Sequence, residues 1–196
     1  MSRVANVSAI SNLEAGGLWR PGRIGPVEIA NRIVRAGTSE TAAGEGGEIT
    51  DQLVAIYAEL ARNRIGLILS GHMFCHPRGR YASRQVGIHS DSMVAGLTRL
   101  TGAVHRHGGK VFAQIAHAGS QSRVPDNRPL APSPIPNALT GRMVEAAGEP
   151  EIAEAIEAFC RWRPARCAGG LRRGAHPRGK RLPDQRVLVS RDQPSG

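Results

Sequence analysis

The strongest constraint on the fold is a short apolar run, VFAQI at residues 111–115, which a single amide interrupts at Gln114. Gly108 and Gly109 precede the run and Gly119 follows it. Its length and its flanking glycines predict a buried strand rather than a helix. A buried parallel strand is normally apolar throughout. Gln114 therefore needs a partner, because a buried amide without one costs about 1–3 kcal/mol.

Two kinds of partner would satisfy Gln114, since its carboxamide carries both a donor and an acceptor. One is the backbone of a neighbouring loop. The other is a flat heteroaromatic ring with mixed donors and acceptors, lying against the carboxyl end of the strand. This stretch taken alone favours the loop backbone and leaves the ring open.

Strand and helix patterns alternate along the rest of the chain. Ile24, Val27 and Ile29 surround Gly25-Pro26 and predict a hairpin. After it we predict strands at 33–37, 65–70 and 110–115, alternating with helices near 51–63, 91–106 and 151–161. This alternation is typical of a parallel α/β barrel, and we expect all three helices on one side of adjacent parallel strands.

Each predicted helix has one apolar face, and the first two have a candidate cap. We expect Thr50 to cap the first helix and Ser90 or Asp91 to cap the second. The apolar faces comprise Leu53, Ile56, Tyr57, Leu60 and Ala61 in the first helix, Met93, Leu97, Leu100 and Val104 in the second, and Ile152, Ile156 and Phe159 in the third. A long proline-rich segment between 119 and 150 precedes the third helix and is expected to be functional.

The positive charge is concentrated near the carboxyl end. Of the net +10, residues 161–196 carry +8, from nine Arg and one Lys against two Asp. The chain before them is nearly neutral. This break divides the sequence into a flexible amino terminus at 1–17, a folded region at 18–161 and a basic segment at 162–196. That segment has no long apolar periodicity, and we expect it to be irregular or disordered, without a packed core.

The three cysteines, Cys75, Cys160 and Cys167, have no CxxC spacing and predict free thiols in a reducing cytoplasm. The amino terminus lacks the apolar stretch of a signal peptide, and no apolar run approaches the length of a membrane span. His72 and His76 flank Cys75, but three such residues on a loop are weak support for a metal site. We expect solvated histidines and no metal.

Several motifs together resemble the Old Yellow Enzyme family of NADH:flavin oxidoreductases. They are NRIVRAGTSE at 31–40, HPRGR at 76–80 and HGGKVFAQIAHAG at 107–119. Each alone is unspecific, but their combination and order are specific to that family. The resemblance covers about residues 18–160 and implies the amino-terminal portion of a (β/α)8 TIM barrel, a hairpin plus three βα units.

The resemblance also implies a cofactor and its contacts. Members bind FMN and use NAD(P)H as reductant to act on a small-molecule substrate. By resemblance, the cofactor-binding residues are Ala36, Gly37 and Thr38 after the first strand, Gly71 after the second, and Gln114 in the third. The family binds no metal here, and its proline-rich loop helps to wall the substrate site.

The resemblance stops where the charge changes. The family continues with a fourth strand of the form GFDxVxxHxA(N/H)GYL, whose polar pair binds the substrate carbonyl and whose Tyr is the usual proton donor. With suitable synonymous codons, residues 171–196 read one base later give FDAVHIHAANGYLINEFLSPVTNHR. This is the missing family segment in the correct order. We therefore expect a frameshifted, truncated family member, with the shift near residues 160–163.

Two functions follow from these observations. The first is the amino-terminal part of an FMN-dependent ene-reductase-like enzyme, inactive alone because the catalytic residues and the phosphate-binding half are missing. No residue of the chain is then expected to be catalytic, FMN binding is expected to be weak or absent, and a complementing half on another chain stays open. The alternative is a protein whose basic segment binds nucleic acid or another polyanion. That segment has one aromatic residue, Trp162, and so offers no stacking platform.

Overall fold

A computed structural model describes residues 17–137 and 140–162 and a short strand at Val187–Leu188. The predictions for residues 1–16, and for the basic segment apart from Trp162 and that strand, lie outside the described residues. Among the described residues, no helix has the length and apolar character needed to cross a membrane.

The predicted hairpin is confirmed. Strands β1 (Gly22–Ile24) and β2 (Val27–Ile29) pair antiparallel. Gly25 has a positive φ of 58°, which a glycine adopts without strain in the two-residue turn. Ile29 packs with Leu67 and Phe112, at the amino ends of two parallel strands. The hairpin therefore covers the end of the sheet opposite the predicted site.

The parallel sheet contains strands β3 (Val34–Arg35), β4 (Leu67–Phe74) and β5 (Val111–Ala116), with β4 in the middle. Val34 pairs with Leu67, and Ile68 pairs with Val111. The prediction of three adjacent parallel strands is confirmed, but their boundaries differ from the predicted ones, most at β3 and β4. β3 is shorter than predicted, and β4 continues to Phe74, where Phe74 exchanges backbone hydrogen bonds with Val86 and Ile88 (3.0 and 2.9 Å).

Helix α1 (Asp51–Arg62) connects β3 to β4. Its predicted cap is confirmed, since the Thr50 hydroxyl accepts a hydrogen bond from the Leu53 N–H at 3.3 Å. Helix α2 (Val94–Arg106) connects β4 to β5 and begins later than predicted, after a 3-10 turn at Asp91–Met93. Ser90 makes no side-chain cap and instead contacts the Ser92 hydroxyl at 2.6 Å.

Helix α3 (Glu149–Arg161) begins two residues earlier than predicted, because Glu151 accepts a hydrogen bond from the Gly148 N–H at 3.0 Å. Its apolar face is only partly used. Phe159 packs against the core, but Ile152 and Ile156 are 50% and 52% exposed. The predicted apolar face of this helix is therefore covered at Phe159 and left half exposed at the two isoleucines.

One core joins the three helices to one side of the sheet. It comprises Leu53, Tyr57 and Ala61 of α1, Leu97, Leu100 and Val104 of α2, Ala158 of α3, and Ile68, Met73, Val111 and Ile115 of the strands, among others. The placement of the helices on one side is confirmed. This core fixes α1 and α2 behind β3, β4 and β5 and leaves the carboxyl ends of those strands open to loops.

The proline-rich segment contains a two-stranded sheet of its own, formed by β6 (Leu130–Ala131) and β7 (Glu145–Ala146). The Arg142 guanidinium donates to three backbone carbonyls, at 2.6 Å to Val124, 2.8 Å to Pro125 and 2.6 Å to Asn127. In the basic segment, β8 (Val187–Leu188) pairs in parallel with Ala113 and Gln114 of β5. We expected irregular structure in the basic segment, but its described part contains this two-residue ladder.

Candidate functional site

The structure brings the predicted site residues together at one edge of the sheet. Gly37 lies against Gln114, because a Cβ added at Gly37 would overlap the Gln114 carboxamide oxygen and lie 2.8 Å from the Ser70 carbonyl oxygen. Gly71 lies against the segment that follows β3, since a Cβ added at Gly71 would be 2.6 Å from the Thr38 carbonyl oxygen. The absence of side chains at these two glycines permits the close approach of three chain segments.

Ala36, Gly37 and Thr38 follow β3 and are exposed. The Thr38 hydroxyl donates to the Ala36 carbonyl at 3.3 Å. Ala36 lies beside the other two as part of the same exposed backbone. The exposed edge of these three residues is open to a ligand.

Gln114 is half-buried, and within the described part of the chain its carboxamide makes no hydrogen bond. Only its backbone N–H is used, as it donates to the Ser70 hydroxyl at 3.0 Å. The loop-backbone partner that this stretch taken alone favoured is therefore not found among the described residues. Both polar atoms of the amide remain available to a group placed at this edge.

A β-bulge in β4 shapes the site. Leu69 pairs with Phe112 and His72 pairs with Gln114, so β4 has one extra residue between these pairs. The bulge contains Ser70 and Gly71, and the buried Ser70 hydroxyl donates to the Gly71 carbonyl at 2.8 Å. Bulges bend a strand and redirect its side chains and are common next to active sites. Gly71 thus lies within β4, where the sequence placed it just beyond the strand.

A buried polar network supports this bulge from behind, and sequence reasoning missed it. The Tyr57 hydroxyl donates to the Glu40 carboxylate at 2.9 Å and accepts the Gly71 N–H at 3.0 Å. Arg35 pairs with Glu40 at 2.7 Å and donates to the Leu69 carbonyl at 3.0 Å. Burial and the neighbouring carboxylate raise the pKa of Tyr57 above its ordinary value of 10.0. A tyrosine on an otherwise apolar helix face was the available signal.

The three residues considered as metal ligands, His72, Cys75 and His76, make other contacts in the structure. The His72 Nδ1 lies 2.6 Å from the Gln85 amide nitrogen, and burial lowers the pKa of His72. Cys75 is buried, which raises the pKa of its thiol to about 11. His76 stacks near His117, with 6.4 Å between ring centroids. Across the described ranges, no group of three His, Cys, Asp or Glu side chains is placed to hold a metal ion.

The chain is part of a (β/α)8 barrel. The hairpin lies at the amino ends of the parallel strands, the helices pack on one side of the sheet, and a polar site with two glycines lies at the carboxyl ends. Barrels of this class build their active sites on the carboxyl face of the strands.

Comparison with known proteins identifies the family. Residues 17–166 match the NADH:flavin oxidoreductase / NADH oxidase family. The chain is 36% identical over 146 residues to NADH oxidase of Thermoanaerobacter brockii, covering 72% of this chain and 22% of that protein. It is also 36% identical over 143 residues to NADPH dehydrogenase of Geobacillus sp. (strain WCH70), covering 72% of this chain and 42% of the relative. The chain belongs to the NADH:flavin oxidoreductase / NADH oxidase family.

Solved structures agree with this assignment. The old yellow enzyme homologue from Zymomonas mobilis has a TM-score of 0.63 and 27% identity, covering 74% of this chain and 43% of that structure. Old Yellow Enzyme from Pichia sp. AKU4542 has a TM-score of 0.67 at 22% identity, a likeness of fold. The chain thus spans less than half the length of these relatives, and the predicted amino-terminal portion of a TIM barrel is confirmed.

Proposed function

We propose that the described residues form the ring-binding half of an FMN site in an NAD(P)H-dependent flavin oxidoreductase. The observation that carries this proposal is the unbonded carboxamide of Gln114, held beside the bare backbone of Gly37. A flat ring that needs both a donor and an acceptor fits such a side chain. The two glycines leave room for the ring to approach the backbone.

The proposed contacts are Ala36, Gly37, Thr38, Gly71 and Gln114. FMN, when bound, supplies the ring that takes a hydride from NAD(P)H and passes it to a small-molecule substrate. The residues of this chain would bind and orient that ring, with the Thr38 hydroxyl and the Gln114 carboxamide as polar partners. The network of Tyr57, Glu40 and Arg35 would keep the bulge, and with it Gly71, in place.

A second part of the proposal is that the 196-residue chain is inactive, because its reading frame changes near residues 160–163. The family match ends at residue 166, close to the change in charge. Residues 162–196 lack the family's substrate-binding pair and its Tyr proton donor, whereas the shifted frame restores both. Sequencing the gene across codons 158–175 tests this directly: a single-base insertion or deletion relative to the restored frame supports it, and an intact frame contradicts it.

The ring contact is tested in a protein whose frame is restored and extended. Gln114→Ala should weaken FMN binding or shift the flavin's reduction potential, because the ring loses a donor and an acceptor. Gln121→Ala is the matched control, since Gln121 is exposed on a 3-10 turn after β5. FMN dissociation constants measured by fluorescence should differ between wild type and Gln114→Ala only. Equal constants and equal potentials in all three proteins would contradict the contact.

We do not extend the proposal to nucleic acid. The net charge of +8 in residues 161–196 is what we expect from GC-rich DNA that is translated out of frame, because its codons then specify mainly Arg, Gly, Pro and Ala. Salt-dependent retention on DNA, abolished by deleting 161–196, would support the polyanion alternative instead.

A further inference from the structure

A second depression lies outside the proposed flavin site. It has a volume of about 270 Å³ and lies between the loop after β4 and the loop after β5. Its walls include Phe74, Arg78, Arg80, His89 and Asn127. None of the five proposed flavin contacts lines it.

Arg80 is the first unusual feature of this depression. Its Nε donates to the Ala82 carbonyl at 3.2 Å, and its guanidinium carbon lies 5.4 Å from the centroid of the Phe74 ring. Its Nη2 is buried without a hydrogen-bond partner among the described residues. No carboxylate of the described chain forms an ion pair with it. A guanidinium that is partly desolvated and unneutralised is costly unless an anion meets it.

His89 is the second unusual feature. Its ring stacks on Phe74, with 4.7 Å between centroids and 18° between planes. Its Nδ1 is also buried with no partner in the part of the chain described. The pKa of His89 is lowered, first by burial and then by the positive charges of Arg80 and His76. The lowered pKa favours the neutral imidazole of His89, which Glu48 only partly opposes, so the positive charge at this depression is that of Arg80.

The loop that carries Arg80 is held in place before any ligand arrives. The Asn127 amide donates to the Arg78 carbonyl at 2.9 Å and to the Ser122 hydroxyl at 2.9 Å. The Arg78 guanidinium is already paired, with Glu145 at 3.4 Å and Glu151 at 3.6 Å. Asp126 also lines the depression and is exposed. The unmatched charge is thus that of Arg80, and the buried Nδ1 of His89 adds a polar atom without a partner.

We propose that this depression binds a phosphate group, through the Arg80 guanidinium and the His89 imidazole. A phosphate offers oxygens to both donors, and arginine matches its geometry closely. The stacked Phe74 and His89 rings provide an apolar wall beside it. This proposal does not rest on flavin binding, because it uses different residues. The phosphate can be free or can belong to an ester, and the experiment distinguishes these sources.

The experiment is a calorimetric titration of the 196-residue chain with inorganic phosphate at constant ionic strength. Wild type should bind saturably, and Arg80→Gln should bind at least about tenfold more weakly, since charge-assisted hydrogen bonds are worth that much. Arg62→Gln, an equal charge change on the exposed surface of α1, should bind like wild type. Absence of binding, or equal binding by Arg80→Gln and wild type, would overturn the proposal. The second result would assign the phosphate to the basic segment.

Two additions complete the test. If Arg80→Gln fails to fold by circular dichroism, His89→Phe keeps the stacked ring but removes the nitrogen donor, and it must also weaken binding for the proposal to stand. Competition with NADP⁺ and NAD⁺ identifies the source of the phosphate. Displacement by NADP⁺ but not NAD⁺ indicates a terminal phosphate ester, and displacement by neither indicates free phosphate.

Discussion

The hydroxyl of Tyr57, on helix α1, accepts a hydrogen bond from the backbone N–H of Gly71, in the bulge of strand β4, at 3.0 Å. The same hydroxyl donates to Glu40, which follows β3. Through these two bonds a single buried side chain connects the helix to two of the three strands that carry proposed flavin contacts, β3 and β4.

Tyr57→Phe should lower the free energy of unfolding by about 1–3 kcal/mol, because it leaves the buried N–H of Gly71 without a partner and leaves the Glu40 carboxylate with Arg35 alone. Urea denaturation of the 196-residue chain measures this. Tyr81→Phe is the control, since no hydrogen bond of its hydroxyl is seen among the described residues, and it should change stability little. An unfolding midpoint for Tyr57→Phe equal to that of wild type would contradict the role of this hydroxyl.

Gly37→Ala should also destabilise the chain, by about 1–3 kcal/mol, because its Cβ would overlap the Gln114 carboxamide and crowd the Ser70 carbonyl. Gly102→Ala provides a contrast, since its Cβ would meet nothing closer than Arg106 at 3.8 Å inside helix α2. That substitution should raise stability by up to about 1 kcal/mol, the difference in helix propensity. Thermal denaturation in which Gly37→Ala is as stable as wild type would show that Gly37 and Gln114 are not in close contact.

The two described cysteines should differ in reactivity. Burial raises the pKa of the Cys75 thiol from 9.0 to about 11, whereas Cys160 is exposed. Since the thiolate is the reactive form, iodoacetamide at pH 8 should label Cys160 and spare Cys75, as peptide mapping would show. The raised pKa also means that the contribution of Cys75 to stability is present below pH 9 and is lost as the pH rises through about 11. Equal labelling of both cysteines in the native chain would contradict the burial of Cys75.

The exposed face of α3 gives a further prediction. Ile152→Gln and Ile156→Gln should each change the free energy of unfolding by no more than about 0.5 kcal/mol, because both side chains are half exposed. Ala158→Asp should be strongly destabilising, since Ala158 is buried in the core and a charge there has no partner. Urea denaturation of the three variants measures the difference. A large loss for either isoleucine variant would mean that this face is covered in solution.

The sequence predicted the sheet and helices well because their patterns are local. The apolar run around Gln114, the spacing of Leu53, Tyr57 and Ala61, and the cap at Thr50 each express a periodicity or a terminus that the structure repeats. The proposed site residues also came together as expected, since parallel strands place their carboxyl ends at one edge.

The remaining features depend on pairing between distant segments. The bulge at Ser70–Gly71 appears only when β4 is aligned with β5, and the role of Tyr57 requires Glu40 and Gly71 to be brought next to it. The helical period correctly placed Ile152 and Ile156 on one face, but a period does not reveal whether a neighbour covers that face. Similarly, nothing local marks Val187–Leu188 as the segment that pairs with β5.

We propose that this chain holds the ring half of an FMN site and lacks the rest through a change of frame. The most direct measurement is FMN fluorescence and visible absorbance of two purified proteins, the 196-residue chain and its frame-restored, extended form. The 196-residue chain should be colourless and leave FMN fluorescence unchanged at micromolar protein, whereas the restored protein should be yellow and oxidise NAD(P)H. A yellow, FMN-loaded 196-residue chain would contradict the claim that the missing half is needed, and a colourless restored protein would contradict the flavin site itself.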